Sequence, residues 1–281
     1  MRVSFRLKII ACCIAALGLI CSPGAPVLPD MTIPWQEADS GLLVAEFDYV
    51  FKNDPYAITL IKIDPKQYSF KLLCAAQSGK QSYTTKEWAE KHQMLATVNA
   101  GMFQQNGLTS VGFMKNFDHV NNPKLSSANT VLAFNPVDES IPEVQIIDRE
   151  CQNFSELRNK YQSFLQSIRM ISCNGQNVWN KLDSKWSVLA LGMDTQGNIL
   201  FLFSRKSNSV HDFIEILMTL PLSLKSAMYL EGGPQASLYL STPKMTLQRE
   251  GALGSLEENS LPFPLPVPNV IGIFKKPQAK T

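Results

Sequence analysis

The sequence predicts an α+β fold in a single domain, with helices packed on a largely antiparallel mixed sheet. Two observations carry this. Short segments rich in β-branched and aromatic residues recur along the chain, separated by turn dipeptides such as Asn-Asp-Pro and Asn-Gly. Helical faces, by contrast, appear in only three isolated places.

Taken in order, Ala45–Phe51, Ala57–Ile63 and Tyr68–Cys74 read as an opening antiparallel meander. Thr85–His92 reads as a helix capped by Thr84 or Thr85, leading to a strand over Met94–Asn99 that stops at Ala100-Gly101. Asn153–Leu165 places Phe154, Leu157, Tyr161, Phe164 and Leu165 at the spacing of one helical face, with Asn153 or Ser155 as cap. Arg169–Cys173 and Gln176–Trp179 flank Asn174-Gly175, a strong hairpin signal. A second hairpin joins Val188–Met193 to Asn198–Ser204, with Asp194 as a structural turn residue. Ser209, with an acid three residues on, opens a helix whose buried face is Val210, Phe213, Ile214 and Leu217. Ala227–Leu230 is a strand ending at Glu231, and after the prolines at 262, 264, 266 and 268 the segment Asn269–Phe274 is a last strand.

Composition narrows the function. Of 281 residues, 45% are hydrophobic and 18% charged, enough to bury a sizeable core. The net charge of +2 comes from 26 basic and 24 acidic residues without a long run of either sign, so no nucleic-acid partner is expected. Arg2, Arg6 and Lys8 precede the apolar run Ile9–Ile20, followed by Cys21-Ser-Pro-Gly-Ala-Pro, the layout of a secretory signal over residues 1–24. The run is shorter than a spanning helix needs. The chain is therefore expected to be exported, periplasmic or extracellular, touching a membrane only through this segment if it is uncleaved or lipidated at Cys21. Cys74, Cys151 and Cys173 remain. Cys151–Cys173 pairing and buried, unpaired cysteines are both open.

Leu230-Glu231-Gly232-Gly233-Pro234 places a carboxylate at a strand end beside glycines that let a ligand approach the backbone; a solvated turn residue is the other reading. Val98-Asn-Ala-Gly-Met-Phe103, Ser110-Val-Gly-Phe113, Gln166-Ser167, Leu191-Gly-Met-Asp-Thr-Gln-Gly-Asn198 and Tyr229-Leu-Glu-Gly-Gly233, in this order, resemble the motif set of the phosphodiester glycosidase domain family. The resemblance sets the domain at residues 68–275, after N-terminal strands and an extension over 25–67 and before a tail over 276–281. Three departures stand out. Glu231 replaces the usual Asp, Gln166-Ser-Ile-Arg169 replaces Gln-Ser-Gly-Pro, and Lys185 and Trp186 lie where many members carry arginines.

What the resemblance implies is hydrolysis of a sugar joined through its anomeric oxygen to a phosphodiester, with envelope or extracellular glycans as the substrate class. A developing oxocarbenium ion needs a carboxylate, which assigns Glu231 to catalysis, and Asn99, at the end of its strand beside Ala100-Gly101, is the second catalytic candidate, its amide hydrogen-bonding sugar hydroxyls or phosphate. The phosphate needs cations or amides. Arg169 and Lys185 are the candidates, with Gly101, Gln166, Ser167, Gly232, Gly233 and His211 as further substrate contacts. Read locally, Asn99 also suits an Asx turn, Arg169 a surface salt bridge and His211 a surface helix position; His211 and His119 are the candidates for an acid. A catalytically inactive glycan-binding or assembly protein of the same fold is the alternative. A serine hydrolase using Ser167 or Ser237 lacks the Gly-x-Ser-x-Gly context. Ca²⁺ is allowed in principle, but no acidic loop has EF-hand spacing, so no cofactor is expected.

Overall fold

The structure, a computed structural model, describes residues 32–182, 184–252 and 264–277. The expected signal segment, Cys21 and Pro262 lie outside the described residues. The described residues form one body. Among the described residues it contains three sheets, all with antiparallel pairing, three α-helices and three single 3-10 turns. The first sheet runs, in spatial order, β1 (Gln36–Asp39), β2 (Leu42–Phe51), β3 (Asp54–Ile63), β13 (Ile199–Asn208), β12 (Trp186–Asp194), β14 (Leu224–Gly232) and β11 (Arg169–Ile171). The second runs β7 (His119–Asn122), β6 (Met114–Asn116), β10 (Tyr161–Ser167), β8 (Thr130–Pro136) and β9 (Val144–Asp148). The third runs β16 (Thr246–Glu250), β15 (Ser237–Ser241), β5 (Ala96–Asn99), β17 (Asn269–Lys275) and β4 (Tyr68–Cys74).

One core joins all three sheets, with Val44 and Ile61 from the first, Leu132 and Leu165 from the second, and Phe70, Val98 and Ile271 from the third. The helices are short: α1 (Thr85–His92), α2 (Phe154–Leu157) and α3 (Val210–Thr219). The fold is thus more strongly β than the expected α+β balance, and its strands form three sheets rather than one. None of the described helices is long and apolar enough to cross a membrane. α1 carries a complete capping box, Thr84 accepting from Glu87 N–H and Glu87 accepting in return, and it lays Trp88 and Ala89 on the outer face of the third sheet. α3 is capped by Ser209 and buries Phe213 and Ile214.

Two expectations fail for identifiable reasons. The opening meander breaks after its second strand: β3 is already paired on both edges, with β2 and β13, so β4 leaves to pair with β17 in another sheet. The expected helix over Asn153–Leu165 is a single turn capped by Asn153, after which the chain becomes strand β10. Phe164 packs in an outer cluster with Phe113 and Phe154, while the next residue, Leu165, enters the central core. Burial of successive residues on opposite sides requires a strand, and β6 and β8 satisfy its two edges.

Cys151 and Cys173 form a disulfide linking the turn after β9 to the segment after β11. Cys74 is a buried free thiol, and burial pushes its pKa up to about 12, so it behaves as a small hydrophobe.

Candidate active site

A cavity of about 400 Å³ opens where the first two sheets meet. Met102, Val111 and Gly112 come from the loop after β5, Ser126–Asn129 precede β8, Gln166–Arg169 join β10 to β11, and Val178 completes the wall. The Gln166 side chain organises this wall. Its Oε1 accepts from the N–H groups of Phe113 and Ser126, each at 2.9 Å, and its Nε2 donates to the carbonyls of Ser126 (3.0 Å) and Ala128 (2.7 Å). Ser167 is buried in the wall, and its carbonyl accepts from the Thr130 hydroxyl at 2.7 Å.

Arg169 projects into the same wall, but its guanidinium already has partners. Nη1 lies 3.0 and 3.1 Å from the two Asp148 oxygens and 2.7 Å from Glu150 Oε2. Asp148 is only 2% exposed and also accepts from the Cys173 N–H at 3.0 Å, so the disulfide-linked turn holds the acid that holds the arginine. Arg169 Nε is buried without a partner.

Glu231 lies close by on β14 and is not part of the cavity wall. Tyr229 N–H donates to the carbonyl of Ile168 in the wall at 2.8 Å, and Glu231 follows two residues on, roughly 7 Å along the strand. The register explains its orientation. Ala190 pairs with Tyr229 and Leu189 with Glu231, so Leu230 is an extra residue, a β-bulge. Without it Glu231 would share the face of Tyr229; with it, Glu231 shares the face of Leu189, which lies in the central core. Burial pushes its carboxyl up to about 7, opposed by the hydrogen bond it accepts from Gly232 N–H at 3.0 Å.

The glycines have separate roles. A Cβ on Gly232 would collide with the Tyr229 hydroxyl and the Trp186 indole, so the space beside it is filled by aromatic side chains. Gly233, at φ +62°, has open space at its Cβ position. Gly101, at φ +78°, lets the loop after β5 rest against Leu165 and the Leu230 carbonyl, which brings that loop to the end of β14.

Asn99 is 1% exposed at the end of β5, with Oδ1 accepting from Ser237 N–H at 3.4 Å and Nδ2 unpartnered. Ser237 pairs in turn with Glu250, and Ser237 Oγ and Glu250 Oε2 are likewise buried and unpartnered. Asn99, Ser237 and Glu250 therefore form a polar row across β5, β15 and β16. Next to Glu250, Gly251 packs against the Gly233 carbonyl, which links this row to the Glu231 turn. Burial pushes the Glu250 carboxyl up to about 7, opposed by the Gln248 side-chain amide. No motif marks Glu250; its only sequence signal is strand alternation, Leu247 inward and Gln248 and Glu250 on the other side.

The remaining candidates lie elsewhere. Lys185 is exposed and pairs with Asp54 at 2.6 Å. His211 sits in the first turn of α3, its Nδ1 3.6 Å from Asp212, and His119 lies on β7. Asp194 is 2% exposed in its hairpin turn, bound to Lys62 at 2.8 Å and to two backbone amides.

Glu250 gives a pH-dependent stability test. The unfolded chain ionises Glu near 4.5 and the native site near 7, so the native state holds the extra proton between them. The stability contributed is full below about 4.5 and is lost as pH rises through about 7. Glu250→Gln removes this titration and leaves that of Glu231 in place. The variant should gain on the order of 1–3 kcal/mol over the wild type at pH 8, and little at pH 4.5, in urea denaturation. An equal difference at both pH values contradicts the assignment.

Residues 92–274 match the family model described as phosphodiester glycosidase. Among solved structures, the chain is similar to the zebrafish N-acetylglucosamine-1-phosphodiester α-N-acetylglucosaminidase catalytic domain, auto-inhibited by its pro-peptide, with a TM-score of 0.60 and 10% identity over 83% of this chain and 82% of that one. It is also similar to a hypothetical protein from Synechocystis, with a TM-score of 0.59 and 15% identity over 88% of this chain and 64% of that one. At these identities the likeness is one of fold. No curated protein sequence matches the chain.

Proposed function

Because the chain belongs to the phosphodiester glycosidase family, we propose that it is an exported hydrolase that releases a sugar from a sugar-1-phosphodiester of envelope or extracellular glycans. The observation that carries this reading is the bulge at Leu230, which puts Glu231 on the core-facing side of a rigid strand end near the cavity. In its ionised form Glu231 faces the anomeric carbon and stabilises the cation that develops as the bond to the phosphate oxygen lengthens. Arg169 and the wall around Ser167 receive the phosphate. Asn99 and the open side of Gly233 contact the sugar. Water adds its oxygen to the anomeric carbon, the carbon–oxygen bond to phosphate breaks, one water proton stays on the new anomeric hydroxyl, and the other goes to the departing phosphomonoester. A phosphate is a good leaving group, so a strong general acid is not required.

Asp148 and Glu150 favour a second reading, a glycan-binding protein without turnover, because they neutralise Arg169 from within. Incubation of the purified protein with a panel of sugar-1-phosphodiesters, followed by mass spectrometry of free sugar, separates the two. Release of sugar supports the hydrolase; tight binding without release supports the second reading.

A further inference from the structure

We propose that the mouth of the cavity is a subsite for an aliphatic chain, so that the diester taken is amphiphilic, a sugar-1-phosphate ester of an alkyl or isoprenoid alcohol. The inference rests on the hydrolase reading and names the leaving side of its substrate. Single exposed hydrophobic residues are ordinary on a protein surface. Here, however, they converge. Val111, Ile168 and Val178 are 46%, 37% and 37% exposed, and all three belong to the wall of this one cavity. Leu125, 41% exposed, immediately precedes Ser126 of the same wall. These residues come from separate parts of the chain, so the fold gathers them rather than a local apolar run.

In the same wall Ser167 is 5% exposed and the Arg169 side chain 13%, a hydroxyl-bearing residue and a guanidinium clasped by Asp148 and Glu150, both far less exposed than the apolar residues around them. A polar floor under an apolar rim complements one molecule with a charged head and an aliphatic tail. A short polar aglycone would leave the rim in water, whereas each methylene buried against it improves affinity about fourfold. The bond broken is unchanged, and an alkyl phosphate leaves.

Calorimetric titration of the protein with octyl phosphate and methyl phosphate tests the subsite independently of the sugar. Octyl phosphate should bind at least tenfold more tightly, and Ile168→Ser with Val178→Ser should reduce the preference to about threefold or less. Val111→Ser alone, at the most exposed of the three positions, should reduce it in part. Equal affinity for the two phosphates, absence of octyl phosphate binding, or a preference that survives all three substitutions overturns the inference. Turnover of methyl and octyl diesters of N-acetylglucosamine 1-phosphate then separates the two readings. Cleavage of both at equal kcat/KM keeps the hydrolase and rejects the aliphatic subsite. Octyl phosphate preference with no cleavage keeps the subsite and counts against the hydrolase.

Discussion

Glu231→Gln should lower turnover of a cleavable sugar-1-phosphodiester by 10²–10³, about 2.7–4 kcal/mol of transition-state stabilisation, with KM close to the wild-type value. The substitution conserves size, and Leu230 keeps the bulge that sets the direction of the side chain. What it removes is the negative charge. With its pKa raised to about 7, Glu231 is protonated in acid, so wild-type kcat/KM should rise with pH through about 7 and level off above it. This limb should vanish from the residual activity of the Gln variant. Glu231→Asp keeps the acid with one methylene less reach and should retain part of the activity and the limb. Wild-type turnover by Glu231→Gln would leave the carboxylate a purely structural role at the turn.

Arg169→Ala should destabilise the fold by about 3–5 kcal/mol, because it strands the buried Asp148 carboxylate without its partner. Asp148→Asn in the same chain should restore much of the loss, since a neutral amide needs no counter-charge, and urea denaturation of the single and double variants measures this coupling. The double variant also separates structure from binding. If the guanidinium reaches the phosphate as well, the folded double variant should lose phosphodiester affinity by about 1.5–3 kcal/mol per charge-assisted hydrogen bond and keep its affinity for the free sugar. Equal losses for both ligands would confine Arg169 to holding the β9–β11 contact.

Much of the fold was legible where local signals agreed with the tertiary arrangement. The hairpin through Asp194 forms with that residue as its structural turn, and the Ser209 cap opens α3 as its spacing predicts. Asn153–Leu165 failed because Phe164 and Leu165, although spaced for a helix, are buried in different clusters on the two faces of a central strand. The site was legible only in part. The strand-end carboxylate could be read from Leu230-Glu231-Gly232-Gly233, but the bulge depends on the register against β12, which no local pattern specifies. Glu250 faces Ser237 across the β15–β16 hairpin, but Ser237 meets Asn99 only through the long-range pairing of β15 with β5, and the Asp148–Glu150 clasp on Arg169 likewise spans separate segments. A lone arginine between Ile168 and Met170 carries no sign of either acid.

Hydrolysis of a sugar-1-phosphodiester in ¹⁸O-labelled water tests the central claim most directly, because it reports which bond breaks. The account predicts that the wild-type protein places the label on the anomeric hydroxyl of the released sugar, leaves the phosphomonoester unlabelled, and forms this product 10²–10³ times faster than Glu231→Gln. Label in the phosphomonoester would mean that water attacks phosphorus, and would contradict both the glycosidic cleavage and the role assigned to Glu231.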